Sequence, residues 1–341
     1  MVKAVSKVAL ITGISGQDGA YLSQLLLEKG YEVHGFTRRK PINGSKNEQK
    51  GLFYHENDLT DLSSIVRTFQ DILPDEVYNL AAQSNVQTSF ERPEYTSQVN
   101  ALGTLRLLET IKILQLQDKI RYFQASTGEV FGKNPESPKT EKTAFHPCNP
   151  YAVSKTYAHW ITVNYRESYG MFACNGILFN HESPMRPISF VTRKITASVA
   201  RISKGMQEVL VLGNLDAKRD WGFAGVYVKA MWLTLQQSEP QDYIFATGKA
   251  HSVRDFVEIA FREVGIGINW EGNGLKEIGK DISNGRILVR VSPDFYRPLE
   301  SNLSVGNSAK AYQMMGWKPE TSFEELVRIM VRNDLRLIEN D

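Results

Sequence analysis

The chain has 341 residues, 42% of them hydrophobic and 23% charged, an ordinary globular composition with enough apolar mass for a sizeable core. A formal net charge of +2 excludes the clustered basic excess of a nucleic-acid binder, so any phosphate-binding cations must be few and local. No stretch reaches the ~18 consecutive apolar residues of a membrane helix, and a soluble protein is expected.

Taken in chain order, Lys3 and Lys7 ahead of the apolar run 8–11 superficially resemble a secretory leader. Gly13 and Gly16 break that run at once, which marks it as a buried strand instead. Apolar runs at 8–12, 31–37, 52–55, 76–82, 120–125 and 172–179 then alternate with helix-like segments such as 20–29 and 101–113. Strands apolar on both faces, alternating with helices, predict an α/β fold: a doubly wound, Rossmann-like parallel sheet that binds ligands at the carboxyl ends of its strands. After about residue 180 the rhythm changes, with helices at 191–204, 226–237 and 252–264 and short strands at 209–212 and 243–247. Residues 1–180 are thus read as a dinucleotide-binding domain. Residues 181–341 are read as mainly a smaller α/β substrate lobe, across a soft boundary that strands can cross.

The turn after the first strand carries Gly13, Gly16 and Gly19 in a Gly-x-x-Gly-x-x-Gly spacing. Such glycines allow a tight turn, close approach of backbone to a pyrophosphate, and tight helix–strand packing. The helix start then offers backbone N–H groups to the anion. At the end of the second strand, Arg38-Arg39-Lys40 stands where an acidic residue would meet a ribose 2′-hydroxyl. Cations there suit a 2′-phosphate, so NADP is expected rather than NAD.

Tyr151 and Lys155 fall one helical turn apart on one face, after Pro150. A lysine cation beside a phenol favours the phenolate, which can take a proton from a substrate hydroxyl. The strand at 120–125 runs into Ser126-Thr127-Gly128-Glu129. If that strand stays extended, Thr127 and Glu129 point to the same side, placing a hydroxyl and a carboxyl at one centre. Alcohol oxidation alone needs no such carboxyl; an elimination does.

Cys148 and Cys174 lie far apart without a metal-ligand pattern, and Cys174 sits in an apolar run. Two such cysteines fit a reducing cytoplasm. The six histidines (His34, His55, His146, His159, His181 and His251) form no metal-ligand spacing, so no metal is expected.

With these residues in view, the chain resembles the GDP-mannose 4,6-dehydratase family over nearly its whole length. The matching strings are 11–19, 78–84, 176–184, 212–222, 246–248, 251–254, 296–298 with Glu300, and 317–319. That resemblance implies a redox-neutral dehydration to a 4-keto-6-deoxy sugar, with Thr127, Glu129, Tyr151 and Lys155 catalytic. It implies cofactor contacts at Gly13, Ile14, Ser15, Gly16, Gln17, Asp18, Arg38, Asp58, Leu59, Leu80, Ala81, Ala82, Gln83, Ser84, Tyr95, Tyr151, Lys155, His181 and Arg186. On the GDP-sugar side it implies Asn180, Lys194, Gly213, Arg219, Arg254, Arg297 and Glu300. It also implies a homodimer or homotetramer, built through the helices at 97–113 and after Tyr151.

Four departures from the family pattern stand out: Gly128 for a serine, the loop 40–44, Met185 for an arginine, and Pro187-Ile188-Ser189 after Arg186. A reductase or epimerase working on a related GDP-sugar, such as a GDP-heptose, stays open at this point. So does a non-catalytic NADP-binding protein.

Overall fold

The computed structural model describes residues 6–38, 50–295 and 304–340. Six strands follow one another in the first half: β1 (Val8–Thr12), β2 (Glu32–Thr37), β3 (Leu52–Glu56), β4 (Glu76–Asn79), β5 (Arg121–Thr127) and β6 (Phe172–Leu178). Beyond them come β7 (Asn180–Glu182), β8 (Leu210–Leu212), β9 (Lys218–Arg219), β10 (Trp221–Phe223), β11 (Tyr243–Phe245), β12 (His251–Ser252), β13 (Ile268–Glu271), β14 (Ile278–Asp281) and β15 (Ile287–Val291).

The main sheet has seven strands in the order β11-β6-β5-β4-β1-β2-β3, with every neighbouring pair parallel. After β3 the chain returns to lay β4 against the other side of β1, which makes the mouth between β1 and β4 the topological switch point. Side chains alternate across this sheet as strand geometry demands. Ala9 and Ile11 of β1 join a core on one face with Leu22, Leu26, Val226, Met231 and Trp317, while Leu10 packs on the other face with Val77, Leu107 and Tyr122.

Helices cover both faces. In chain order they are α1 (Gln17–Glu28), α2 (Leu62–Ile72), α3 (Val86–Glu91), α4 (Pro93–Ser97), α5 (Gly103–Ile113), α6 (Pro150–Tyr169), α7 (Val191–Ser203), α8 (Ala224–Leu235), α9 (Val253–Glu263), α10 (Ala309–Met315) and α11 (Phe323–Asn340). A turn of π-helix, Gln98–Leu102, joins α4 to α5.

A separate core forms from Ile195, Val199, Leu212, Phe256, Val289 and Met330, under a four-stranded sheet ordered β13-β14-β15-β8. The antiparallel hairpins of that sheet escape the sequence reading, because their alternation is broken by Gly272, Gly274, Gly279 and Gly285. The strand read at 243–247 does not stay with this second core. It adds to the main sheet beside β6, and α8 packs with it there.

Candidate active site

The glycine turn is shaped by contact with its neighbours. Gly13 has a φ of +71°, and a Cβ placed on it would lie 2.8 Å from the Ala81 Cα. The two loops at the sheet's switch point therefore touch through a position only glycine tolerates. Thr12 fixes that contact: its hydroxyl donates to Asn79 (2.7 Å) and accepts the backbone N–H of Leu80 (3.1 Å) and Ala81 (3.0 Å). A Cβ on Gly19 would sit 2.5 Å from both the Gly13 carbonyl and the Ile14 Cα, so this glycine lets α1 start hard against β1. Gly16 caps α1 without a side-chain bond. The loop and the exposed Ser15 thus form a backbone cradle that fits a pyrophosphate.

Around this cradle stand the other expected cofactor residues. Arg38, exposed at the end of β2, donates to the Tyr95 hydroxyl at 2.9 Å. The Asp58 carboxylate closes a turn on Thr60, and Leu59 is buried beneath it. Gln83 is held by Asn100, which accepts its N–H at 2.9 Å, and by its own bond to the Asn85 carbonyl. Ala82 and Ser84 line the same loop. Arg39 lies outside the described residues, as does the loop 40–44.

His181 closes the far side. Its Nδ1 faces the Phe179 carbonyl and its Nε2 faces Asp18, each at 2.8 Å. Two acceptors require two donors, so the ring is an imidazolium. Burial alone would lower its pKa, but the Asp18 charge and hydrogen bond raise it overall. Asp18 is likewise pushed up by burial, yet His181 and the Gln17 amide bring it down to about 2. Gln17 also bonds the His181 carbonyl (3.0 Å) and accepts from Ser183 (2.8 Å), locking the start of α1 to the segment after β7. Arg186 pairs with buried Glu182 at 3.2 Å, its guanidinium stacked 3.7 Å from the centre of the Phe190 ring.

The catalytic candidates meet at the carboxyl end of β5. Contrary to the extended geometry expected from sequence, the chain turns after Thr127 into a 3₁₀ segment, Gly128–Phe131. Thr127 caps that turn, its hydroxyl accepting the Glu129 N–H at 3.2 Å. The residues are brought together by capping rather than by strand alternation. Asn149 caps α6 in turn, Pro150 takes its first position, and Tyr151 sits in its first turn. Burial pushes the Tyr151 phenol up to about 12, against a Thr127 hydrogen bond that lowers it, while the nearby Glu129 charge raises it further.

Lys155 is buried in α6. Only 3% exposed, it donates to the Ala125 carbonyl at 2.9 Å, and burial lowers it to about 8. The cation that counters Tyr151's rise in this structure is Arg186, acting behind the Thr127 bond. Gly128 lies against Phe179, whose ring atoms would sit 3.3 Å from an added Cβ.

The residues expected on the sugar-nucleotide side spread over the second core's edge. Asn180 opens β7, directly after the end of β6. Lys194 sits 3.4 Å from the centre of the Phe295 ring, and Gly213 admits the Phe295 backbone, since a Cβ there would meet its carbonyl oxygen at 2.4 Å. Arg219 lies opposite His251 in the β9–β12 pair. Arg254 donates to Glu277 and to Asp216 (2.8 Å), and the Glu277 bond leads in holding it above its usual range. Arg297 and Glu300 lie outside the described residues. Among the described residues no cluster of histidines, cysteines and carboxylates is arranged to hold a metal.

Sequence reasoning missed Thr12, Asn79 and Asn149. The last carries a readable signal, an asparagine directly before proline at a helix start.

The family model described as GDP-mannose 4,6 dehydratase matches residues 10–330. A GDP-mannose 4,6-dehydratase of Sinorhizobium fredii is 53% identical, covering 96% of this chain and 97% of that protein. GDP-mannose 4,6 dehydratase 2 of Caenorhabditis elegans is 52% identical, covering 98% and 91%. Among solved structures, the UDP-glucose 4-epimerase of Thermus thermophilus, in complex with NAD, superposes with a TM-score of 0.78 at 27% identity, covering 96% and 98%.

Proposed function

This chain belongs to the GDP-mannose 4,6-dehydratase family, and on that premise we propose how its own side chains run the reaction. It is a hydro-lyase that uses a nicotinamide cofactor and acts on a GDP-sugar, forming the 4-keto-6-deoxy product. The observation that carries the assignment of roles is the meeting of Thr127, Glu129 and Tyr151 beside the glycine cradle.

A nicotinamide held by the glycine cradle would supply the redox chemistry, as acceptor of hydride from C4 of the sugar and donor of hydride to C6. Tyr151 takes the C4 hydroxyl proton, with Thr127 orienting the same oxygen. The new ketone acidifies the C5 hydrogen. Glu129 removes that proton and passes it to the C6 hydroxyl, which leaves as water. The proton held by Tyr151 then replaces the one lost from C5, so atoms and charge balance over the cycle. His181, Gln17 and Asp18 hold the cradle rigid, Lys155 meets the ribose, and Arg38 with Tyr95 receives a 2′-phosphate. That last contact supports NADP. Residues 1–180 supply these groups except His181, while Asn180 at the boundary and Lys194, Gly213, Arg219 and Arg254 beyond it receive the GDP-sugar.

With GDP-mannose and a trace of NADP, purified protein should accumulate the 4-keto-6-deoxy sugar nucleotide without net formation or loss of reduced cofactor, and should do so less well with NAD. Stoichiometric NADPH consumption on a keto-sugar would mark a reductase instead.

Val153 and Trp160 of α6 are 55% and 57% exposed, Tyr157 between them is 39% exposed, and all three share one helical face. Phe90 of α3 is also exposed, at 45%. This apolar stripe supports a homodimer through α6, or a tetramer of two such pairs. Sedimentation should give a multiple of the chain mass, and Trp160→Glu should reduce it to one chain. No helix among the described residues is long and apolar enough to cross a membrane, and Cys148 and Cys174 are unpaired thiols, in keeping with a cytoplasmic enzyme.

A further inference from the structure

Asn149 makes two contacts with one rigid amide. Its Oδ1 accepts the Ala152 N–H at 2.8 Å, which starts α6, and its Nδ2 donates to the Glu129 carboxylate at 3.3 Å. The orientation is determined, because a backbone N–H can only donate and therefore must face the oxygen. The nitrogen is then left for Glu129. We propose that Asn149 is a positioning residue that sets the Glu129 carboxylate against Tyr151, tying the turn after β5 to the first turn of the helix that carries the phenol.

Three features carry this. Glu129 reaches the site on a short 3₁₀ turn, and Asn149 holds its side chain there, whereas the Thr127 contact is to its backbone. One carboxylate oxygen held by the amide leaves the other for the C5 hydrogen. Serine or aspartate caps a helix about as well as asparagine, so capping alone does not call for an amide here. Serine keeps the cap and loses the reach to Glu129. Aspartate keeps the cap and sets a second negative charge beside it.

The inference rests on Glu129 acting as the base, and the test separates the two. Wild type, Asn149→Ser, Asn149→Asp and Glu129→Gln are given GDP-mannose in deuterated water, with reduced nicotinamide followed by absorbance and deuterium at C5 by mass. Asn149→Ser should melt with the wild type and form reduced nicotinamide at the wild-type rate. Its C5 labelling and product formation should fall roughly 10- to 100-fold, the scale of loss for a displaced reacting group. Asn149→Asp should label at least as slowly. KM for GDP-mannose should not move.

Equal slowing of nicotinamide reduction and C5 labelling would reduce Asn149 to a helix cap and overturn the proposal. So would wild-type labelling in Asn149→Ser while Glu129→Gln is silent. Labelling that persists in Glu129→Gln overturns the role of Glu129 itself, and the proposal with it.

Discussion

Glu129→Gln should stall the enzyme after its first half-reaction: reduced nicotinamide forms, and no water is lost. Glutamine is nearly isosteric, keeps the backbone N–H that Thr127 accepts, and can still accept from Asn149 through its carbonyl oxygen. What disappears is the ability to take a proton from carbon. General-base contributions run at roughly 10²- to 10⁴-fold, so product formation should fall by that order. Oxidation at C4 should not suffer. The Glu129 charge is one of the influences that raise the Tyr151 phenol, and removing it makes deprotonation of that phenol easier. A stopped-flow trace of nicotinamide reduction, paired with product analysis after seconds, separates the steps. Full-rate product from this variant would show that the proton leaves C5 by another route.

How much of this was legible in the sequence depends on how local the cause is. The strand at 8–12 coincides with β1, because an apolar run ending in glycine at a turn is decided by its own residues. The same holds for α6, whose start is written in Asn149-Pro150 and whose end is written in Gly170, with its φ of +65°. Local reading fails where a distant partner decides. Tyr243–Phe245 looks like any short apolar strand, and only its pairing with β6 puts it in the main sheet. The alternation argument placed Thr127 and Glu129 correctly near one another for the wrong reason, since a hydroxyl cap ended the strand two residues early. The surroundings of Lys155 are equally non-local: its partner, the Ala125 carbonyl, comes from thirty residues away and carries no sequence signal. Arg254 stands on the sugar-nucleotide side by resemblance, and nothing near it in sequence announces its bond to Glu277.

Tyr151→Phe should stop the reaction earlier, before any nicotinamide is reduced. The phenol stands at about 12 in the protein alone, so at neutral pH it is protonated and must be paired with a proton-accepting change in the complex to act as base. Thr127 and Arg186 already pull in that direction, and Lys155, near 8, carries most of its charge at neutral pH and loses it as pH rises past that value. Below pH 8 the C4 step should therefore quicken as pH rises, because phenolate is the scarcer form. A phenylalanine ring fills the same space and keeps α6 capped, so the melting temperature should shift little. The rate of nicotinamide reduction should fall by roughly 10²- to 10⁴-fold and lose its dependence on pH. The two variants also order the chemistry. A C5 hydrogen becomes acidic only beside a ketone at C4, so Tyr151→Phe should show no deuterium at C5 although its Glu129 is intact. Label appearing at C5 without nicotinamide reduction would mean that elimination does not wait for oxidation, and the division of labour between phenol and carboxylate would fall.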